Sequence, residues 1–445
     1  MKKRLKTHYV AHRFTRPMRI TFMLFLFVAF FVITPAVILY TAGYRYDWIT
    51  HTVRQTGVLS VNVIPRDVRV TLNDTVIPKA VPIRLTNRAP GTYLLTIERQ
   101  GYKTWSRDIT IESKNTTYIK DIILLKEALP VRILDDVEDI ISAHGSEYTD
   151  TILILKKNED IYELYSFNIQ TREQSLIYRT QSNIRPIVKV APHTTIAYSR
   201  VTGTAQDTLY LIPLTNPENT TILSITPDTI TRWNNKSTTE PLYLIENNTI
   251  STISPTRSKN IIATVTSTAW YRDDRGGIWT ADEQKITNPH NDTVYLVPDQ
   301  IHTIVHANNE RIIATHQDKT IVIRTPSSEE YTVHYVNGTN TYHYRTTGEW
   351  WVWSDWELSS IYPDGGVTLL NRSGERIKNI TLLDPNSVIL LATEKEISAF
   401  NPGYYVRHTL VEPHSYMLVS AHVSKRTLYF LGNFAGRDGL YALEY

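Results

Sequence analysis

Four of the chain's nine tryptophans fall within seven residues, in the stretch EWWVWSDWE at 349–357. Exposed indole rings stack on sugar faces or anchor a protein partner, because each offers a large flat apolar surface and one N–H donor. Side chains alternate along a strand, so Trp351 and Trp353 share one face and Trp350 opposes them. Trp356 follows, and Tyr342, Tyr344, Asp355 and Tyr362 place hydrogen-bonding groups nearby. Trp350, Trp351, Trp353, Trp356, Tyr344 and Asp355 are therefore the candidate ligand-binding residues. The competing reading of the same rings is packing between layers of strands, where large side chains fill the gaps.

Other reactive side chains carry less. His302 and His306 are four apart in IHTIVHANNE. The surrounding pattern reads as a strand, which would place both on one side, but no further ligand spacing completes a metal site. Asp273 and Asp274, in YRDDRGG, could serve acid–base chemistry or hold a cation. Beside two arginines and two glycines they read as a solvated turn. Glu159, Asp160 and Glu163 read as acidic side chains around a hairpin. The chain has no G-x-S-x-G, H-E-x-x-H, P-loop, EF-hand or dinucleotide-binding fingerprint. With no cysteine, disulfides, thiolate metal sites and thiol catalysis are excluded. The expectation is a protein without catalytic, cofactor-binding or metal-binding residues.

The elements that must position these residues are strands. Between 127 and 445 no amphipathic helix longer than two turns is expected. An apolar strand followed by a polar turn recurs: ELYSFN at 163, TLYLIP at 208, PLYLIE at 241, GIWTAD at 277, TIVIRT at 320, ELSSIY at 357, EISAFN at 396 and GLYALE at 439. The mean step is about 40 residues, the size of one four-stranded propeller blade. Seven or eight such units fit, so 127–445 is expected to be a β-propeller. The stretch at 191–214 resembles a blade of Tol-type or WD-repeat-like propellers. The apolar C-terminal strand is expected to pair into the sheet and close the ring.

Residues 57–126 show shorter strands of period two, GVLSVNVIP, VRVTL, TYLLTIE, WSRDITIE and TTYIKDIILL, consistent with an antiparallel sheet. Leu59, Val61 and Val63 share a face. Gly57–Val61 reads G-x-L-x-V. Pro65, Val68–Val70, Asn73-Asp74, Val81-Pro82, Ala89–Tyr93 (APGTY) and Gly101-Tyr102 follow in order, and the last apolar strand ends at Leu125. This ordered set resembles the PEGA domain, with Arg88-Ala89-Pro90-Gly91 in place of the name-giving tetrapeptide. The resemblance implies a small β-sandwich that acts as a spacer or binding module, with no catalytic residues of its own.

Ile20–Tyr44 carries no charged side chain over 25 residues. As a helix it would extend ~37 Å, enough to span the bilayer. Seven basic residues and no acidic one precede it, which keeps that side cytoplasmic. Tyr40, Tyr44, Tyr46 and Trp48 suit the outer interface. A cleaved signal peptide is the alternative, but the run is long for one and no A-x-A site follows. Residues 1–49 hold eight of the 47 basic residues and one of the 44 acidic ones, so the remainder is mildly acidic. That argues against a nucleic-acid surface.

The expected organisation is a cytoplasmic tail (1–19), a transmembrane helix (20–44), a linker (45–56), a PEGA-like sandwich (57–126) and a seven- or eight-bladed propeller (127–445). The fold class is all-β with one N-terminal membrane helix. The expected role is a bacterial, single-pass, extracytoplasmic protein that contacts the lipid bilayer through Ile20–Tyr44 and binds an envelope protein or a surface polysaccharide. A propeller-based polysaccharide hydrolase or lyase and a docking scaffold for envelope assembly are the alternatives.

Overall fold

A computed structural model of the protein describes residues 16–47, 51–190, 195–234, 241–253, 259–265, 267, 269–324, 330–385 and 388–445. The chain divides into two compact units, one ending at Leu124 and one running from Leu125 to Tyr445.

The first unit opens with a helix, Arg16–Thr41, long and apolar enough to cross a membrane and with no buried residue. It begins before Ile20 because Arg16, Pro17 and Arg19 are tolerated in a first turn, where a proline's missing N–H leaves no bond unmade. It stops before Tyr44, since Gly43 adopts φ +81° and turns the chain. Tyr44 therefore lies in a strand, Tyr44–Asp47, that pairs antiparallel with Thr52–Gln55 inside the segment expected to be a plain linker. Arg45 covers the Tyr40 ring, donates to the Tyr40 carbonyl at 2.6 Å and to Asn87 Oδ1 at 3.1 Å. The helix end is thus tied to the strands that follow. Trp48 and the basic residues before Arg16 lie outside the described residues.

Residues 57–123 form two sheets facing each other. One contains Gly57–Ile64 between Ile83–Arg88 and Thr116–Ile123; the other orders Thr75–Val76, Arg69–Leu72, Gly91–Glu98 and Trp105–Ile111. Gly57–Ile64 and Thr116–Ile123 run parallel, which corrects the wholly antiparallel expectation. A period of two marks a half-buried strand in either direction, and here the chain between the pair crosses through the second sheet. Leu59, Val61 and Val63 do share the inner face, with Leu95, Ile97 and Ile111 opposite, all at most 1% exposed. Gly57 is required by contact, because a Cβ there would collide with the Glu112 carbonyl oxygen.

The second unit consists, among the described residues, of eight four-stranded antiparallel sheets. The first seven occupy 140–181, 187–225, 230–264, 269–296, 303–337, 340–372 and 377–411, each a simple meander. The eighth takes Ser415–His422, Thr427–Phe434 and Arg437–Glu444, then adds Val131–Leu134 from the start of the unit as its outer strand. The apolar strand at 437–444 is therefore paired on both edges.

One buried cluster lies between each successive pair of sheets. Leu153, Leu155 and Ile212 join the first to the second; Leu209, Leu211 and Leu244 the second to the third; Tyr243 and Trp270 the third to the fourth; Trp279 and Ile312 the fourth to the fifth. Ile313, Val322 and Val352 continue to the sixth, Trp351 and Leu391 to the seventh, Leu390 and Phe430 to the eighth. Ile152, Ile154 and Leu431 then join the eighth back to the first. The sheets follow one another in a closed cycle. A strand sandwiched on both faces needs apolar side chains at odd and even positions alike, hence continuous runs such as TILIL at 151–155 and ILLAT at 389–393.

The sequence repeat tracks this order with one offset. Six of the eight recurring segments are third strands, but those at 241 and 277 are second strands of their sheets. The second and third strands form one hairpin and are comparably buried, so hydropathy alone does not tell them apart.

Candidate binding cavity

The six candidate residues separate. Trp351, 1% exposed, is stacked between Tyr342 at 5.3 Å and Tyr344 at 5.1 Å, inside the cluster joining the sixth and seventh sheets. Tyr344 is buried beside it, and its hydroxyl donates to the Pro385 carbonyl at 2.6 Å. Trp353 belongs to the same cluster. Trp350 faces the fifth sheet, as alternation requires. Asp355, paired with Arg376 at 2.9 Å, and the exposed Trp356 occupy the turn after that strand. These rings therefore form no common exposed face. Trp350, Trp351 and Trp353 pack between adjacent sheets.

Trp350 does reach a cavity, of about 790 Å³. The first strands of the third to sixth sheets supply its walls: Arg232 and Trp233 from Ile230–Trp233, Trp270 to Arg272 from Ala269–Arg272, His306 from Thr303–Ala307, and His343 from Asn340–Tyr344. Asp274, Arg345 and Gly348 add the connecting turns. The aromatic groups form a continuous lining. His343 stacks on Trp350 at 4.7 Å, His306 lies 5.8 Å from Trp350, and the Tyr271 hydroxyl meets His306 Nδ1 at 3.2 Å. Tyr243 packs edge-on against Trp270. Arg232 lies over the Trp270 ring and donates to its carbonyl at 2.9 Å.

Among the described residues the lining includes three arginines, Arg232, Arg272 and Arg345, and one carboxylate, Asp274. Burial, with the positive charges of Arg311 and Arg345, lowers the pKa of His343 to about 4, so the ring is neutral at pH 7. Burial likewise lowers Arg232 and raises the Tyr271 hydroxyl. Arg311 acts behind the wall: 3% exposed, it donates to the carbonyls of Ile361, Tyr362 and Gly348 and fixes the fifth sheet to the sixth.

A smaller cavity of about 260 Å³ is lined by first strands of the first, second, sixth, seventh and eighth sheets. Glu147, its one carboxylate among the described residues, accepts from the hydroxyls of Tyr342 and Thr381. Burial raises its pKa, and those two bonds with a backbone bond from Leu382 oppose the rise without cancelling it. Glu147 thereby ties the first sheet to the sixth and seventh.

The remaining sequence candidates fall elsewhere. Asp273 is not solvated: 6% exposed, it accepts from the backbone N–H of Arg275 and Gly277, both at 2.9 Å, and from Trp279 Nε1 at 2.8 Å, and pairs with His290 Nε2 at 2.5 Å. Two glycines in a turn leave backbone donors that need an acceptor, and this carboxylate turns inward to supply it. A bulge between Ile304 and His306 breaks the alternation expected there. His302 consequently packs on His316, and His306 on Tyr271 and Trp350. Glu163 pairs with Arg179 on the sheet surface.

Sequence reasoning missed Arg232, Trp270, His343 and Arg345. Their shared signal is position: ITRW at 230, AWYR at 269 and NTYHY at 340 each open a four-stranded unit. Aligning the units by first strand would have placed these polar and aromatic residues side by side.

Residues 56–126 match the model of the PEGA domain. No curated protein matches the chain. Similar solved structures include an uncharacterized protein of Listeria monocytogenes EGD-e, lmo1340, at 13% identity, with 64% of this chain and 98% of that one covered and a TM-score of 0.40. Hsv2 of Kluyveromyces lactis is similar at 11% identity, covering 61% and 96%, with a TM-score of 0.36. Raptor of Chaetomium thermophilum is similar at 9% identity, covering 72% and 29%, with a TM-score of 0.41. A PEGA domain behind an apolar N-terminal helix fits a membrane-anchored extracellular protein.

Proposed function

We propose that this is a single-pass bacterial envelope protein with a cytoplasmic N-terminus, whose extracytoplasmic part comprises a PEGA domain and an eight-bladed β-propeller that binds a surface polysaccharide without transforming it. The unburied helix Arg16–Thr41 and the basic residues before it support the anchor and its orientation. The closed cycle of eight sheets supports the propeller. The observation that carries the binding reading is the 790 Å³ cavity, walled by Trp233, Trp270, Tyr271 and Trp350. Its size lies within the ~300–1,000 Å³ range of ligand sites, and rings of this kind present flat apolar surface to the C–H faces of sugars. A glycosidase would need two carboxylates roughly 5–10 Å apart, whereas among the described residues the one carboxylate lining the 790 Å³ cavity is Asp274 and the one lining the 260 Å³ cavity is Glu147.

The test uses the full chain in lipid nanodiscs, incubated with the separated polysaccharide and protein fractions of the host envelope. Capture of polysaccharide, lost in Trp350→Ala and kept in Trp356→Ala, is the expected result. Capture of a specific protein alone would support the docking-scaffold reading, and release of reducing ends from captured polysaccharide would support the hydrolase.

A further inference from the structure

Resting on the membrane-anchored reading, we propose that the hairpin of Tyr44–Asp47 and Thr52–Gln55 is a second membrane element, seated in the lipid headgroup layer with Tyr46 and Val53 facing the lipid. The PEGA domain is then held against the bilayer surface, not carried on a free tether. Three observations converge on this.

The first is depth. Arg19 is the last charged residue before the apolar run. A hydrocarbon core ~30 Å thick takes up about 20 helical residues at ~1.5 Å each. Counted from Ile20, its far boundary falls at Leu39 or Tyr40. The helix ends at Thr41, Gly43 turns the chain, and the strand Tyr44–Asp47 starts at once. The headgroup layer beyond the core is about 5–8 Å deep, and paired strands lie ~4.8 Å apart. A two-stranded ribbon beginning at the helix end fits that layer.

The second is attachment. Arg45 donates to the Tyr40 carbonyl at 2.6 Å, lies over the Tyr40 ring, and reaches Asn87 Oδ1 at 3.1 Å. Thr56 donates its backbone N–H and its hydroxyl to the Gly43 carbonyl, each at 2.9 Å. The Thr56 carbonyl in turn accepts from the Lys114 N–H at 3.0 Å. Gln55 donates to the Tyr44 hydroxyl at 2.6 Å and accepts from the Ser113 hydroxyl at 2.5 Å. These bonds tie the helix end, the ribbon and the PEGA strands together, so the helix sets the ribbon's depth.

The third is the face the ribbon presents. Tyr44 pairs with Gln55 and Tyr46 with Val53, so all four share one face. The half near the PEGA strands is covered by Ser113 and by Lys114, whose ammonium lies 5.5 Å from the Tyr44 ring centre. The other half is open, with Tyr46 47% and Val53 54% exposed. The Tyr46 hydroxyl meets His51 Nδ1 at 3.1 Å, which gives this pair an apolar body and a polar tip. Amphipathic rings of that kind are favoured at the headgroup level, and the exposed Tyr40 on the helix marks the same level. A water-soluble partner would have to displace lipid to reach this pair.

The chain has no cysteine, so single cysteines can carry an environment-sensitive fluorophore in the full chain, held in phosphatidylcholine nanodiscs. Val53→Cys and, independently, Tyr46→Cys report the ribbon. Phe31→Cys reports the middle of the helix, and Ile64→Cys the exposed far end of the strand Gly57–Ile64. Headgroup nitroxides are expected to quench the ribbon labels about threefold more than the Ile64 label, and aqueous iodide to do the reverse. Nitroxides deep in the acyl chains should quench the Phe31 label. Ribbon labels as open to iodide as the Ile64 label would overturn the proposal. Shielding from both nitroxide and iodide would put a protein or a second copy of the chain on the pair, and overturn it too. If the Phe31 label also escapes the deep nitroxides, the membrane anchor itself fails. If only the ribbon labels escape, the anchor stands and the headgroup assignment falls.

Discussion

Replacing Asp273 by alanine should unfold the fourth sheet's corner. Its Oδ1 accepts two backbone N–H groups at 2.9 Å; its Oδ2 accepts Trp279 Nε1 at 2.8 Å and pairs with His290 at 2.5 Å. The Arg275 and Gly277 donors sit in a turn and can regain water. The Trp279 ring is fully buried, so its donor cannot. Hydrogen bonds to charged groups contribute about 1.5–3 kcal/mol each, and breaking a buried pair from one side costs about 3–5 kcal/mol. We expect Asp273→Ala to lose about 3–5 kcal/mol by the same reasoning. Asp273→Asn, which keeps Oδ1 but sets an amide N–H₂ against the indole N–H, should lose about 1–3 kcal/mol. The assay is equilibrium urea unfolding of the full chain in detergent, followed by tryptophan fluorescence with the slope checked for constancy. The acid limb gives an independent reading. Burial raises the Asp273 pKa, but the bonds from Trp279, His290, Gly277 and Arg275 together hold it below 3.8. Its stabilisation is therefore present above the unfolded value and disappears as pH falls through the lower folded one. Asp273→Ala should flatten that part of the stability curve. An alanine variant within about 0.5 kcal/mol of wild type, the range of an ordinary surface substitution, would refute the argument.

Trp351→Ala should cost about 3–5 kcal/mol in the same urea assay, against less than about 0.5 kcal/mol for the exposed Trp356→Ala. Gly57→Ala should destabilise the PEGA domain by about 1–3 kcal/mol, read as earlier loss of amide hydrogen-exchange protection in residues 57–123, because its Cβ meets the Glu112 carbonyl. His144 and His343 both have pKa values lowered to about 4, chiefly by burial. The unfolded chain should bind up to about two more protons than the folded one between pH 4 and 6.5, so stability falls as pH falls across that window. Unfolding at pH 7, 5.5 and 4.5 measures the slope, and an unchanged slope in the double variant His144→Gln/His343→Gln would count against it.

Period and composition made the strand-rich second unit and the apolar helix legible before any coordinates, because burial on both faces of a sheet leaves a mark in every strand. The PEGA segment was legible through its turn residues, of which Gly101 at φ +76° is one. Direction was not: hydropathy reads the same for Thr116–Ile123 whether it runs with or against Gly57–Ile64. The cavity was hidden for a different reason. Its wall is assembled from residues as distant in the chain as Arg232, in a four-residue strand, and Arg345, in a turn. The tryptophan cluster drew attention by its density along the chain, yet density in sequence placed Trp350 and Trp351 on opposite faces and only one of them at a cavity.

The eighth sheet joins Val131–Leu134 to Arg437–Glu444. A chain emerging from its N-terminal side therefore carries its first strand as an unfinished edge throughout synthesis, for some three hundred residues. Edges of this kind recruit foreign strands, and contacts so far apart form late. A product truncated before Arg437 would hold seven sheets and no fastener. Such a fragment should accumulate as aggregate or protease substrate, not as a smaller working protein. Closure of the cycle of sheets thus waits on the strand Arg437–Glu444.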